Sequence, residues 1–191
     1  MAFRGEIGKG RRLSRLPRGV AALLAAGLLL LVAGSGRARA DWSAAAPAAS
    51  ENLYAKAAAQ EHVPLDLLVA IAGAESGYHP WALNLDGHEI YCRSRDEAER
   101  RLATGDKVAI GLMQINWLYW GPRLRLSKNQ MLDPATNLIY GARILRLGLG
   151  RSGSIWFRIS NYHSGSLAAR DAYNQRVYAN YLRYLRGEVG R

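Results

Sequence analysis

Glu75 lies near the end of the apolar stretch Pro64–Gly77, PLDLLVAIAGAESG, in which Asp66 is the only other charged residue. Read as a helix, Leu67, Ile71 and Glu75 follow at four-residue spacing and share one face. A carboxylate on the buried stripe of a helix is costly unless it has partners or holds a proton. A general acid working at neutral pH must hold that proton. The bland alternative is a helix-end Glu that bends to solvent or pairs with one of the many Arg residues.

Three further pieces follow in order: Gly111-Leu112-Met113-Gln114, Tyr162-His163-Ser164-Gly165, and Tyr178 in Tyr-Ala-Asn-Tyr-Leu. With Glu75-Ser76 they resemble the motifs of the lytic transglycosylase domain of the lysozyme-like superfamily, the family-1 soluble type. The resemblance covers roughly residues 51–186. Glu-Ser alone carries little, whereas Gly-Leu-Met-Gln before an apolar residue is far more specific. Tyr-His-Ser departs from the family's usual Ala-Tyr-Asn and looks like the branch associated with conjugation, pilus and secretion machines.

The resemblance implies cleavage of the bond between N-acetylmuramic acid and N-acetylglucosamine in peptidoglycan. Breaking a glycosidic bond needs a proton on the leaving oxygen as positive charge develops on the sugar ring. By motif position Glu75 donates it. Glu75 then takes a proton from the sugar's own 6-hydroxyl, which closes a 1,6-anhydro ring without consuming water. No Asp or Glu accompanies the three later motifs, which fits a one-carboxylate mechanism. Asp86 and Glu89 are the acids where a hydrolase could place a second carboxylate to activate water; the bland reading is a solvated turn. The competing functions are thus a lysozyme-like muramidase and a non-catalytic peptidoglycan-binding assembly protein.

Neighbours would bind substrate. Ser76 would contact substrate or orient Glu75, or else solvate a helix-end carbonyl. Gly111 would let backbone approach the sugar. Met113 would form a soft apolar wall, or else sit in the core. Gln114 offers a donor and an acceptor to an acetamido group, with Asn116 as a second polar candidate. The resemblance implies that the Tyr162 hydroxyl holds the catalytic Glu and that Tyr178 is the family's C-terminal tyrosine, with Tyr181 as the neighbouring alternative. His163 reads as a subsite or structural residue. His62, His79, His88 and His163 form no paired metal-ligand spacing, and no phosphate loop occurs, so no metal or cofactor is expected.

The elements that must position these groups are mostly helical. Helices are expected over about 51–62, through the Glu75 stretch to Gly77, over about 95–103 with a Ser94/Glu97 capping box, from Asp133-Pro134 to Gly148, over about 154–163 with Ile155, Trp156 and Ile159 inward, and over about 171–186. The last would bury Val177, Tyr178, Tyr181, Leu182 and Leu185. Glu89–Cys92 reads as a short strand between turns. There is no strand–helix alternation. The fold class is mainly α, and the resemblance makes it a lysozyme-like single domain with at most a small β element.

Residues 1–18 are basic, 19–34 form an uncharged run of 16, and Ala38-Arg39-Ala40 supplies small residues before Asp41. This is the layout of a secretory signal peptide cleaved after Ala40. A retained anchor is second choice, because a span needs about 20 apolar residues. Residues 41–50 read as an Ala-rich linker and 51–191 as the catalytic domain. Without residues 1–40 the 26 Lys and Arg fall to 18 and the 15 acids to 14, leaving +4. The formal +11 is therefore mostly a targeting signal and does not imply nucleic-acid binding. The expected setting is periplasmic, the expected partner is the peptidoglycan glycan strand, with a secretion, conjugation or pilus apparatus nearby, and the membrane is met only through the signal peptide. Cys92 is the single cysteine, which excludes an intramolecular disulfide.

Overall fold

In a computed structural model, residues 47–150, 155, 159 and 167–189 are described. The proposed signal peptide, most of the proposed linker, and Trp156, Tyr162 and His163 lie outside them. Among the described residues there are seven delimited helices, α1 (Pro47–Glu61), α2 (Leu65–Ser76), α3 (Arg95–Leu102), α4 (Trp117–Leu124), α5 (Lys128–Met131), α6 (Pro134–Leu149) and α7 (Leu167–Leu185), and four short strands. The strands are β1 (Ala82–Leu85), β2 (His88–Tyr91), β3 (Val108–Ile110) and β4 (Ile115–Asn116). They form one antiparallel sheet in the order β2-β1-β3-β4. The architecture is mainly α with a small sheet, as the sequence led us to expect. None of the described helices is long and apolar enough to cross a membrane.

Local chemistry explains the boundaries. Asp133 caps α6 by accepting the Thr136 amide at 2.9 Å, with Pro134 at the first helical position. Ser94 accepts the Glu97 amide at 3.2 Å, but the Glu97 carboxylate reaches back to the Arg93 amide at 2.9 Å. The cap forms, one residue looser than the expected box. Helix α2 stops where Gly77 turns left-handed, at φ 61°, and bonds back to Ala72 and Gly73. Helix α6 runs through Gly148 and caps at Gly150. Helix α1 begins at Pro47, inside the segment read as linker.

The core gathers α2, whose Leu68, Ala70, Ile71 and Ala72 are fully buried, against α1, α6, α7 and one sheet face. Helix α2 packs chiefly on α7, and α1 on α6. The expected stripe of the last helix is corrected. Val177 is buried, but Tyr178 and Leu185 are exposed, and Tyr173 is buried instead. The helix begins earlier than expected, and its inner face is set by Tyr173 and Val177, four residues apart; Tyr178 falls about 100° away. Ile159 is buried, whereas Ile155 is exposed. Cys92 is fully buried and free.

One ion cluster fastens α1 to α6. Glu61, 3% exposed, accepts Arg143 at 2.7 and 3.0 Å and Arg146 at 3.1 Å. The Arg143 hydrogen bond is the main reason the Glu61 carboxyl sits below the usual carboxylate range. A lowered pKa adds stability above the unfolded value, and that stability is lost as pH falls through the folded one. Arg143→Ala should cost about 2 kcal/mol in denaturant unfolding at pH 7, because a buried carboxylate loses its main partner. The gap to wild type should close in acid. Glu61→Gln should cost less, since both guanidinium groups keep water.

Candidate functional site

Helix α2 delivers Glu75 to its last turn, where the carbonyl ends already disfavour negative charge. The side chain is half-buried, and the Tyr173 hydroxyl of α7 donates to Oε1 at 2.8 Å. Burial pushes the Glu75 carboxyl up to about 7. The Tyr173 bond and the Arg176 charge pull the other way, and the Glu89 charge adds to the rise. Such a group holds its proton in mildly acid to neutral water and can give it up and take it back, the property general acid–base catalysis requires.

Tyr173 is fully buried, and Arg176 lies over its ring at 5.5 Å. Sequence reasoning missed it. The available signal was its position four residues before Val177, on the inner face of the same helix. Tyr162, read as the Glu-holding tyrosine, lies outside the described residues. Tyr178 is 48% exposed on the outer side of α7, and Tyr181 bonds to Asp66.

The Gly111–Gln114 loop is built by groups the motif does not contain. Gly111 takes φ 77°, and its amide donates to the Ala82 carbonyl at 2.8 Å. A Cβ there would stand 2.7 Å from Asn137 Cγ. Asn137, buried on α6, uses that space. Its Nδ2 donates to the Ile110 and Met131 carbonyls at 2.8 and 3.0 Å, and its Oδ1 accepts the Met113 amide at 2.8 Å. Asn137 was also missed. Its signal was four-residue spacing with Gly141 and Leu145 along α6.

The motif side chains fall into two groups. Met113 is fully buried against Gly141, where an added Cβ would be 2.6 Å from Met113 Cβ, so Met113 presents no surface to a ligand. The Ser76 hydroxyl is buried and donates to the Ala72 carbonyl at 3.1 Å. Both occupy the bland roles weighed for them. Gln114 stays partly accessible in a left-handed conformation, φ 42°, which a non-glycine residue holds only under strong local constraint. Its Nε2 supplies that constraint, donating to the Ala82 and Gly111 carbonyls at 3.0 and 2.9 Å. The amide oxygen, not the amide nitrogen, is left for a ligand. A cavity of about 60 Å³ beside it is lined by Ile115, Asn116, Trp120 and Ile144. Asn116 is exposed and caps α4 through the Tyr119 amide at 3.2 Å. No group of His, Cys, Asp and Glu suited to a metal ion occurs among the described residues.

A lysozyme-like domain with one proton-holding carboxyl at a helix end belongs with enzymes that cut glycans. The chain matches the family described as Transglycosylase SLT domain over residues 52–182, more than half its length, and belongs to that family. It is a lytic transglycosylase acting on peptidoglycan. No curated protein and no solved structure matches it.

Two predictions follow from the carboxyl. Its pKa is raised on folding from 4.5, so the native state keeps a proton that the unfolded chain releases. The stability this contributes is complete below about 4.5 and is lost as pH rises through about 7. Glu75→Gln should therefore be more stable than wild type at pH 8, by on the order of 2 kcal/mol in denaturant melts, and show no gain at pH 4. Tyr173→Phe removes a bond that favours the ionised form. The alkaline limb of its pH–rate profile should move to higher pH, with kcat reduced.

Proposed function

We propose that Glu75 is the acid and base of a non-hydrolytic cleavage of the N-acetylmuramic acid–N-acetylglucosamine β-1,4 bond. The supporting observation is a carboxyl raised to about 7 by burial and held by the Tyr173 hydroxyl. Protonated Glu75 gives its proton to the bridging oxygen as the bond to the muramic acid C1 breaks, with the substrate's N-acetyl group assisting. The carboxylate left behind takes the 6-hydroxyl proton, and that oxygen bonds to C1. The glucosamine end leaves with a new hydroxyl, the muramic end leaves as a 1,6-anhydro ring, and Glu75 ends protonated as it began. Tyr173 keeps the carboxyl aimed through both transfers.

Among the residues placed as substrate-binding by motif, Gln114 and Asn116 keep polar atoms available. Gly111, Met113 and Ser76 would serve by fixing the loop and the helix end. Tyr162 and Tyr178 remain in the proposal on the strength of their motif positions. The basic leader and apolar run support export to the periplasm, and the Tyr-His-Ser motif supports a role in opening local gaps for a trans-envelope secretion, conjugation or pilus machine.

One observation favours a second reading. The Glu89 charge adds to the rise of the Glu75 carboxyl, and a water-activating muramidase uses a second carboxylate near its acid. Mass spectrometry of digested wall separates the two. Anhydro ends are expected; reducing ends would assign hydrolysis. Glu75→Gln should lower wall solubilisation at least 1,000-fold while the protein stays folded, a loss on the order of 4 kcal/mol of transition-state stabilisation. Full activity in that variant would remove Glu75 from the mechanism.

A further inference from the structure

Glu75 is the last residue but one of α2, and helix ends fray. The 2.8 Å bond from Tyr173 lands on that end, so its geometry depends on how the final turn is held against α7. The first turn of α2 is tied to α7 through Asp66 and Tyr181. The last turn has a different fastening, built from Gly73, Tyr78 and Asn180.

Two successive residues after α2 are left-handed, Gly77 at φ 61° and Tyr78 at φ 68°. A helix stop needs only the first. The second falls on a residue with a Cβ, where that conformation is costly and persists only if the surroundings hold it. It brings the Tyr78 ring back to α2, and the hydroxyl donates to Asn180 Oδ1 of α7 at 3.4 Å. The crossing point is Gly73. A Cβ there would stand 2.6 Å from both Tyr78 Cζ and Asn180 Oδ1, so the pair meets where α2 carries no side chain.

Asn180 is oriented from its own helix. Its Nδ2 donates to the Arg176 carbonyl at 2.9 Å, which leaves Oδ1 to accept, and Arg183 Nη1 donates to the same oxygen at 3.4 Å. Bonds of that length are weak, so the joint matters for where it sits. Tyr173, Val177 and Asn180 follow at i, i+4 and i+7 on one stripe of α7. Tyr173 and Asn180 are therefore about 10 Å apart along the helix axis. The end of α2 is gripped at two points two turns apart, and the second point removes the swing that a single hydrogen bond allows. Burial pushes the Tyr78 hydroxyl up to about 12, against the pull of Arg183, so it remains a donor wherever Glu75 titrates.

We propose that Gly73, Tyr78 and Asn180 form a positioning clamp that keeps the Glu75 carboxyl aligned with the Tyr173 hydroxyl. The clamp rests on Glu75 being the acid and base, and it assigns part of kcat to residues that act only through the Glu75–Tyr173 bond.

A double-mutant cycle tests it. Tyr78→Phe and Asn180→Leu each remove one side of the joint and keep most of its volume. Each should lower kcat for wall turnover about 10-fold and leave KM unchanged, because a misaimed acid loses rate and not affinity. The alkaline limb of the pH–rate profile should move to higher pH, as expected for Tyr173→Phe, since a loosened phenol favours the ionised carboxyl less. Arg176 and Glu89, the other charges acting on Glu75, are kept in both variants. In a Tyr173→Phe background the same two changes should lower kcat less than about 2-fold, because the bond they act through is already gone. Thermal melts verify folding, and each variant completes a cycle of its own, so one that fails to fold leaves the other to decide. Equal losses in the two backgrounds would make the contact merely structural and overturn the clamp. Unchanged kcat in both variants, or a loss confined to KM, would overturn it as well. Full activity of Glu75→Gln would instead overturn the reading on which the clamp rests.

Discussion

The Glu75–Tyr173 hydrogen bond joins the chain's central helix to its last one, 98 residues apart in sequence. Its two ends pull in opposite directions. Burial penalises the charged carboxylate, while the phenol favours it. A carboxyl buried without a donor would hold its proton too tightly to act as a base. A fully solvated one would have no proton to give near neutrality. The α2–α7 contact sets the compromise near 7, and the geometry of that contact follows from packing elsewhere: the buried stripe of α2, the left-handed stop at Gly77, and the Val177 face of α7.

The Gly111–Gln114 loop depends on a different constraint, satisfying buried backbone groups. The loop from Gly111 to Gln114 leaves the regular ladder, and a buried amide or carbonyl without a partner costs about 1–3 kcal/mol. From α6 Asn137 accepts the Met113 amide of that loop and donates to the carbonyls of Ile110, just before it, and of Met131 in α5. Gly111 lacks a Cβ because Asn137 occupies that volume. The Gly-Leu-Met-Gln motif is therefore mainly a solution to a folding problem, with Gln114 as the member that keeps a polar atom to offer. Met113 takes the core place weighed beside its role as an apolar wall, and the close approach that Gly111 allows is to Asn137.

That distinction explains what the sequence disclosed. Helix α2, the Asp133 cap, the Ser94 start and the position of Glu75 on a buried stripe are local patterns, and local patterns are legible. Tyr173 and Asn137 act across 98 and 24 residues, and each is an unremarkable polar residue in a helix until its partner is known. The periodicity that places both inward was present. For α7 it was read in the wrong frame, because the helix start was set four residues late and Tyr178 was turned inward in place of Tyr173.

The register of the small sheet is fixed by the same kind of constraint. A helix presents side chains around a cylinder, whereas a sheet presents them in rows at fixed spacing. One face of this sheet is committed to the core through Leu83, Ile110 and Ile115. A one-residue slip would exchange the two faces. The apolar face therefore fixes the register, and by fixing it places Asn84, Glu89 and Asn116 in line. Core packing thus sets the spacing of the polar row, just as helix packing sets the proton affinity of Glu75. In both places the positions of polar groups are set by buried residues.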